Sequence, residues 1–263
     1  MRGLSGKTII VVAAGTNHGR PSLGGAVCGR LAAEGAHVVA ADIDLDAAQR
    51  TVDGIHASGG SANAVFVDAS NEASIQAFID GTVATRGALH GVHFNAMDMS
   101  PGALGADGEH NICTLPLDVW QRSIDVGLTG FFLTAKYAIP HLVAAGGGGI
   151  VCTASDAVYV GEPIRLAYAA TKTGMQAVVR HIASAYGQQG VRANAIAPGM
   201  VLGDAAVTAM GVDRASKMLR IGRSNRLGQP DDIANAVTFL LSDDGEWING
   251  QTIKIDGGTV LGI

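Results

Sequence analysis

Tyr168 and Lys172 stand four residues apart in a stretch with helical periodicity, so their side chains leave one helix face about a turn apart. An ammonium beside a phenol favours the phenolate and draws a tyrosine pKa down from its unperturbed ~10. A tyrosine so placed serves as general acid toward a ketone oxygen, or as general base toward an alcohol. Ser155 follows a short apolar run, residues 149–153, that reads as a strand. Its hydroxyl then lies at the carboxyl edge of a sheet, where open α/β sheets bind ligands, and can donate to a substrate oxygen. A YxxxK pair alone is common by chance and is usually a solvated helix pair of little worth. Its conjunction with a strand-end serine and a nucleotide-type turn upstream gives it meaning.

That turn follows the first apolar run, residues 7–14. Gly15 opens it, and Gly24-Gly25-Ala26 leads into the next helix. Glycines there let the backbone approach a pyrophosphate and aim free N–H groups and the positive helix end at it. The stretch GTNHGRPSLGG is not a clean GxGxxG, and a tight strand–helix turn is the competing reading. Asp42 ends the second strand, where a carboxylate can accept from the adenosine ribose hydroxyls and repel a 2′-phosphate. This favours NAD, with a cap of the following helix as the lesser reading of Asp42. Arg20 counts the other way, because it could pair with a 2′-phosphate and so keeps NADP as the alternative. Asp68, after the third strand, is placed either to reach the adenine edge or to cap a helix.

These residues need a sheet to hold them. Apolar β-branched runs at residues 7–14, 36–41, 62–67, 91–95, 149–153, 192–197 and 252–255 alternate with helical patterns at 24–34, 45–57, 72–86, 118–143, 165–186 and 231–241. Continuous apolar strands separated by helices predict an α/β, doubly wound, mostly parallel sheet of about seven strands with helices on both faces, a single-domain Rossmann fold over residues 1–263. Residues 97–116 break the rhythm, being rich in Gly, Asp, Ser and Pro. So long a loop inside a compact domain is usually functional or mobile.

Composition narrows the function. Hydrophobic residues make up 48% and charged residues 16% of the 263, which excludes disorder. No apolar run approaches the ~18 residues of a membrane span, and no signal-peptide cleavage pattern follows the N-terminus, so a cytoplasmic location is expected. A formal charge of −5 gives no reason to expect nucleic acid or anionic lipid as partner. Three scattered cysteines, Cys28, Cys113 and Cys152, fit reduced thiols, and the dispersed histidines, His90 and His93 included, form no metal site. The 37 glycines are about twice the average usage of ~7%, as many tight strand-to-helix turns would require.

Nearly the whole chain resembles the short-chain dehydrogenase/reductases. The resemblance rests on Gly15…Ser22-Leu23-Gly24, Asp42, Asp68, Asn95-Ala96, Ser155, Tyr168-xxx-Lys172, Pro198-Gly199 and the C-terminal RLGQPDDIANAVTFLLSDDGEWINGQTIKIDGG. It implies Ser155 as donor to the substrate oxygen, Tyr168 as acid/base, and Lys172 as ribose ligand and modulator of the tyrosine. It further implies Gly15, Ser22, Leu23, Gly24, Asp42, Asp68, Ala69, Asn95, Ala96, Tyr168, Lys172, Pro198, Gly199 and Val201 as the cofactor's surroundings, and a homo-oligomer, tetramer or dimer, built on the long helices and last strand. Three departures stand out. The glycine turn carries three extra residues with Ser22 at a usual glycine, a spacing like the enoyl-reductase branch. That branch spaces Tyr and Lys by seven, whereas the residue seven before Lys172 is Arg165, which disfavours enoyl reduction. Gly127 replaces the Asn that helps hold a proton-relay water, and Met97 and Gly203 replace a usual Gly and Thr.

The expected activity is therefore NAD-dependent interconversion of a secondary alcohol and a ketone on a small molecule. Asp156, Tyr159, Glu162 and Arg165 are expected to border the substrate, and residues 200–219 to form a lid whose Met and Leu content favours an apolar or cyclic substrate. The alternatives are a catalytically weak NAD(P)-binding regulator, for which Gly127 is the main support, and a non-redox lyase or isomerase on the same fold.

Overall fold

The first strand, β1 (Thr8–Val12), is apolar or β-branched throughout and buried at all five positions, as a strand with helices on both faces must be. In the computed structural model, which describes residues 1–17, 20–100, 103, 111–161, 163–202 and 219–262, it lies inside a seven-stranded sheet. A two-stranded hairpin, β2 (Thr16–Asn17) and β3 (Arg20–Pro21), follows it and stands apart from the sheet. The remaining strands are β4 (His37–Asp42), β5 (Ser61–Phe66), β6 (Gly91–Phe94), β7 (Gly148–Thr153), β8 (Val191–Pro198) and β9 (Thr252–Ile255). Their order is β5-β4-β1-β6-β7-β8-β9, and every pairing is parallel rather than mostly so.

Strand alternation divides the core in two. Ile9 and Val11 face one cluster, with Val27 and Leu31 of α1 (Leu23–Ala33), Val52 of α2 (Leu45–Ala57), and Ile233 and Val237 of the C-terminal helix (Pro230–Leu241). Ile10 and Val12 face the other, with Ile75 and Phe78 of α3 (Glu72–Arg86) and residues of two longer helices described next. Residues 118–143, expected as one helix, form three pieces. They are α4 (Leu117–Ser123), a π-helical stretch Ile124–Thr129, and α5 (Gly130–Ala144). After β7 come α6 (Ala157–Val160), which the sequence reading missed, and α7 (Leu166–Tyr186). No helix among the described residues is long and apolar enough to cross a membrane. The lid expected at 200–219 lies outside the described residues except at Met200–Leu202 and Leu219.

His93 on β6 is fully buried. Its Nδ1 is 3.2 Å from the Val151 carbonyl oxygen, and its Nε2 has no partner among the described residues. Burial pushes its pKa down to about 4; Val151 works against the shift and the Lys172 charge adds to it. A histidine kept neutral in the fold but free to protonate near ~6.5 when unfolded gives stability that is complete above ~6.5. That stability is lost as pH falls from ~6.5 toward about 4. Between pH ~7 and ~4.5 the loss amounts to about 2–3 kcal/mol. In urea denaturation at those two pH values, His93→Leu should lose that much less stability than wild type; an equal loss in both would contradict the assignment.

Candidate active site

Connections after β1, β4, β6, β7 and β8 meet in one cleft of about 980 Å³ at the carboxyl edge of the sheet. The chain leaves β1 for β4 and β5 on one side and returns to β6 on the other, and such a reversal opens a ligand crevice.

At one end stands Asp42. Its Oδ2 accepts from Gly15 N at 2.8 Å and its Oδ1 from Asp44 N at 3.0 Å. The capping of α2 falls to Asp44, which accepts from Ala47 N. A carboxylate offers about four acceptor sites, so Asp42 retains capacity for two hydroxyl donors. Asp68 likewise does not cap α3, a role taken by Asn71; its carboxylate accepts from Ser70 N and Oγ at 2.9 and 2.7 Å. In the turn, Ser22 caps α1 by accepting from Gly25 N at 3.0 Å and also lines the cleft, as do Gly15 and Leu23. Gly24 is not among the residues that line the cleft. A Cβ there would stand 2.0 Å from the Ala13 carbonyl oxygen, so Gly24 serves the close approach of α1 to the end of β1. Between Gly15 and Ser22 the turn carries the paired strands β2 and β3. Arg50 Nε donates to Thr16 O at 2.8 Å, and the Thr16 and Thr51 hydroxyls lie 2.8 Å apart. The Arg20 side chain lies outside what is described.

At the other end Ser155, Tyr168 and Lys172 share the cleft. Ser155 is buried, and its Oγ accepts from Ala157 N at 3.2 Å. Lys172 is fully buried and donates to Thr153 O at 2.7 Å. Burial lowers its pKa to about 8. Its Nζ is 5.7 Å from the Tyr168 ring centroid, and the Arg165 guanidinium carbon is 5.2 Å away. Arg165 and Ala13 are the non-glycine residues with left-handed φ among those described, +61° and +62°, and both line the cleft. Such backbone strain gathers at functional sites.

Ala69, Asn95, Ala96, Pro198, Gly199 and Val201 line the cleft, as do Met97, Asp156 and Arg165. Tyr159 does not line it. Its hydroxyl donates to Gln176 Oε1 at 3.0 Å and Lys254 lies over its ring, while Val160 beside it takes the lining place. Glu162 and Gly203 lie outside the described residues. Ile43, Asp98, Met99, Ser100, Val126 and Thr259 line the cleft unforeseen; of these, Asp98, Met99 and Ser100 begin the aperiodic loop whose length was the one available signal. Gly127 has a steric partner: a Cβ there would stand 2.3 Å from Thr171 Cγ2. Thr171 has taken the side-chain space of residue 127.

The lining of the cleft runs from the strand-end Asp42 past Ser22, at the N-terminus of α1, to Ser155, Tyr168 and Lys172. Fold and site together define a dinucleotide-dependent oxidoreductase of the doubly wound class. Residues 19–260 match the family model described as enoyl-(acyl carrier protein) reductase. The chain belongs to the short-chain dehydrogenase/reductase family. It is 36% identical over 228 residues to a cyclohexanol dehydrogenase of Acinetobacter sp. (strain SE19), covering 86% of each chain. To a 2,5-dichloro-2,5-cyclohexadiene-1,4-diol dehydrogenase of Sphingobium indicum it is 34% identical over 261 residues, covering 98% of each. A solved 7α-hydroxysteroid dehydrogenase, complexed with NADH and 7-oxo glycochenodeoxycholic acid, superposes with a TM-score of 0.85 at 32% identity, covering 98% of this chain and 96% of that one. The chain is accordingly an enzyme that interconverts a secondary alcohol and a ketone by hydride transfer with a nicotinamide cofactor.

Proposed function

We propose that Tyr168 is the general acid/base, that Ser155 polarises the substrate oxygen, and that Lys172 holds the ribose and favours the phenolate. The observation that carries this reading is the single cleft shared by the three side chains, with a buried cation near the Tyr168 ring. When bound, the nicotinamide supplies or accepts the hydride. The chain's own task is then to bind the substrate oxygen at Ser155 and to move one proton between it and the Tyr168 oxygen. NAD is the proposed cofactor. Asp42 keeps acceptor capacity at the ribose end, and a 2′-phosphate there would face a carboxylate fixed by two backbone N–H groups. Asp42→Ala is expected to raise kcat/KM with NADP relative to NAD by about tenfold or more, the loss of one charge repulsion worth ~1.4 kcal/mol; an unchanged ratio would contradict the role.

An alicyclic secondary alcohol is the proposed substrate class. Ring alcohols stand in the names of two of the relatives, and Val126, Val160, Met99, Met200 and Ile221 give the cleft apolar walls. NADH formation across cyclic and acyclic secondary alcohols tests this, and a preference for short acyclic alcohols would overturn it. The same reading takes the chain as a homo-oligomer, tetramer or dimer, supported by exposed Leu117 and Phe132 on α4 and α5 and Trp247 beyond the C-terminal helix; a monomer in sedimentation equilibrium would contradict it.

A further inference from the structure

Behind Tyr168 and Lys172 lies a second, small cavity of about 10 Å³, walled by Asp98, Ser123, Thr171 and the two catalytic candidates. That is about the least room a buried water needs, and the polar atoms around it could supply its hydrogen bonds. Asp98 borders both this cavity and the main cleft. Its side chain is only 5% exposed, yet it is held as an anion would be, by Ser100 N at 2.9 Å, Ser100 Oγ at 2.6 Å and Arg122 Nε at 3.2 Å. Arg122, 40% exposed, carries the cluster to the surface. A buried carboxylate costs several kcal/mol to desolvate. An ion pair that only anchored a loop would gain nothing from a position against the catalytic tyrosine.

We infer that Asp98 is the outer station of the proton path that recharges Tyr168, through one water in the cavity among Asp98, Ser123, Thr171 and Lys172. The inference rests on Tyr168 as acid/base. During ketone reduction the Tyr168 O–H bond breaks as the proton joins the substrate oxygen, leaving a phenolate. Lys172 gives that phenolate a proton from Nζ and takes one from the cavity water. The Asp98 carboxylate takes one from solvent at the Arg122 edge and passes it to the water, returning to its ionised form. Each transfer moves one proton and no electrons, and alcohol oxidation runs the chain backwards. Thr171 contributes by geometry: its hydroxyl donates to Ser123 O at 3.2 Å, which fixes the cavity wall. The path thus leaves toward the loop after β6, away from Gly127, where no side chain can carry it.

The test uses the full chain with NAD and cyclohexanol. Asp98→Ala and the isosteric Asp98→Asn are expected to lower kcat about 10–100-fold, below the full effect of a general acid, with KM and NADH affinity unchanged and a larger solvent isotope effect. Formate should restore part of the Asp98→Ala rate, and Asp98→Glu should retain most of it. A high-resolution crystal structure of the unliganded chain should show an ordered water in the cavity, a readout independent of turnover and of whether the variants fold. An undiminished kcat, a loss confined to KM or NADH affinity, a loss that formate leaves unchanged, or a dry cavity would overturn the inference. Tyr168→Phe run alongside separates the cases: if it too keeps full turnover, the acid/base reading has failed rather than the path alone.

Discussion

Tyr168→Phe is expected to lower kcat by about 10²–10⁴-fold in either direction, about 3–5 kcal/mol of barrier, while NADH affinity changes by less than about threefold. The ring survives the substitution, so the packing of Arg165 and Lys172 against it is kept. What is lost is the oxygen proposed to exchange a proton with the substrate. Ser155 cannot replace it, because an aliphatic hydroxyl is a far weaker acid than a phenol. Steady-state rates and NADH fluorescence titration read the two quantities separately. A fall in cofactor affinity as large as the fall in kcat would make Tyr168 a binding residue and sink its proton role. Because burial lowers Lys172 to about 8, its ammonium persists at neutral pH and is lost above that value, so support for the phenolate should weaken on the alkaline side.

What could be read from the chain beforehand was whatever depends on local periodicity. The helices at Leu45–Ala57 and Glu72–Arg86 and the strand at Thr252–Ile255 fall on the bounds that apolar spacing predicts, because each buries one stripe or sits between covered faces. Most site residues lie at strand ends or helix starts, positions that the same periodicity marks. The misses share another cause. The β2–β3 strands are two residues each, too short for any period. Tyr159 was placed by proximity to Ser155 along the chain, but the turn at α6 aims it at Gln176 and Lys254 instead. Asp98 sits in a loop without pattern, and its meaning comes from Arg122 and Thr171, 24 and 73 positions onward. At Gly24 the fold adds a constraint that spacing along the chain does not reveal, the Ala13 carbonyl against which a Cβ would collide.

Gly127→Ala should destabilise the protein by about 1–3 kcal/mol, the usual cost of overpacking, and Gly127→Asn by more. The added Cβ would stand 2.3 Å from Thr171 Cγ2, a distance that no packed pair holds. Thr171 is buried, and turning its methyl away would break the hydroxyl's bond to Ser123 O. The strain therefore passes into α7, one residue from Lys172 and three from Tyr168, so kcat should fall along with stability. Thr171→Ser removes only the offending methyl and keeps the hydroxyl, at a cost of about 1 kcal/mol for the lost burial. Combined with Gly127→Ala it should be less destabilising than the sum of the two by about 1–3 kcal/mol, the coupling of residues in contact. Urea denaturation of the four proteins closes this cycle, and simple additivity would mean that the two positions do not share space. If the coupling holds, Gly127 is no damaged remnant of a lost asparagine. It is half of an exchange in which α7 supplies the volume that the π-helical stretch gave up, and the proton path follows the side of the tyrosine that this exchange leaves open.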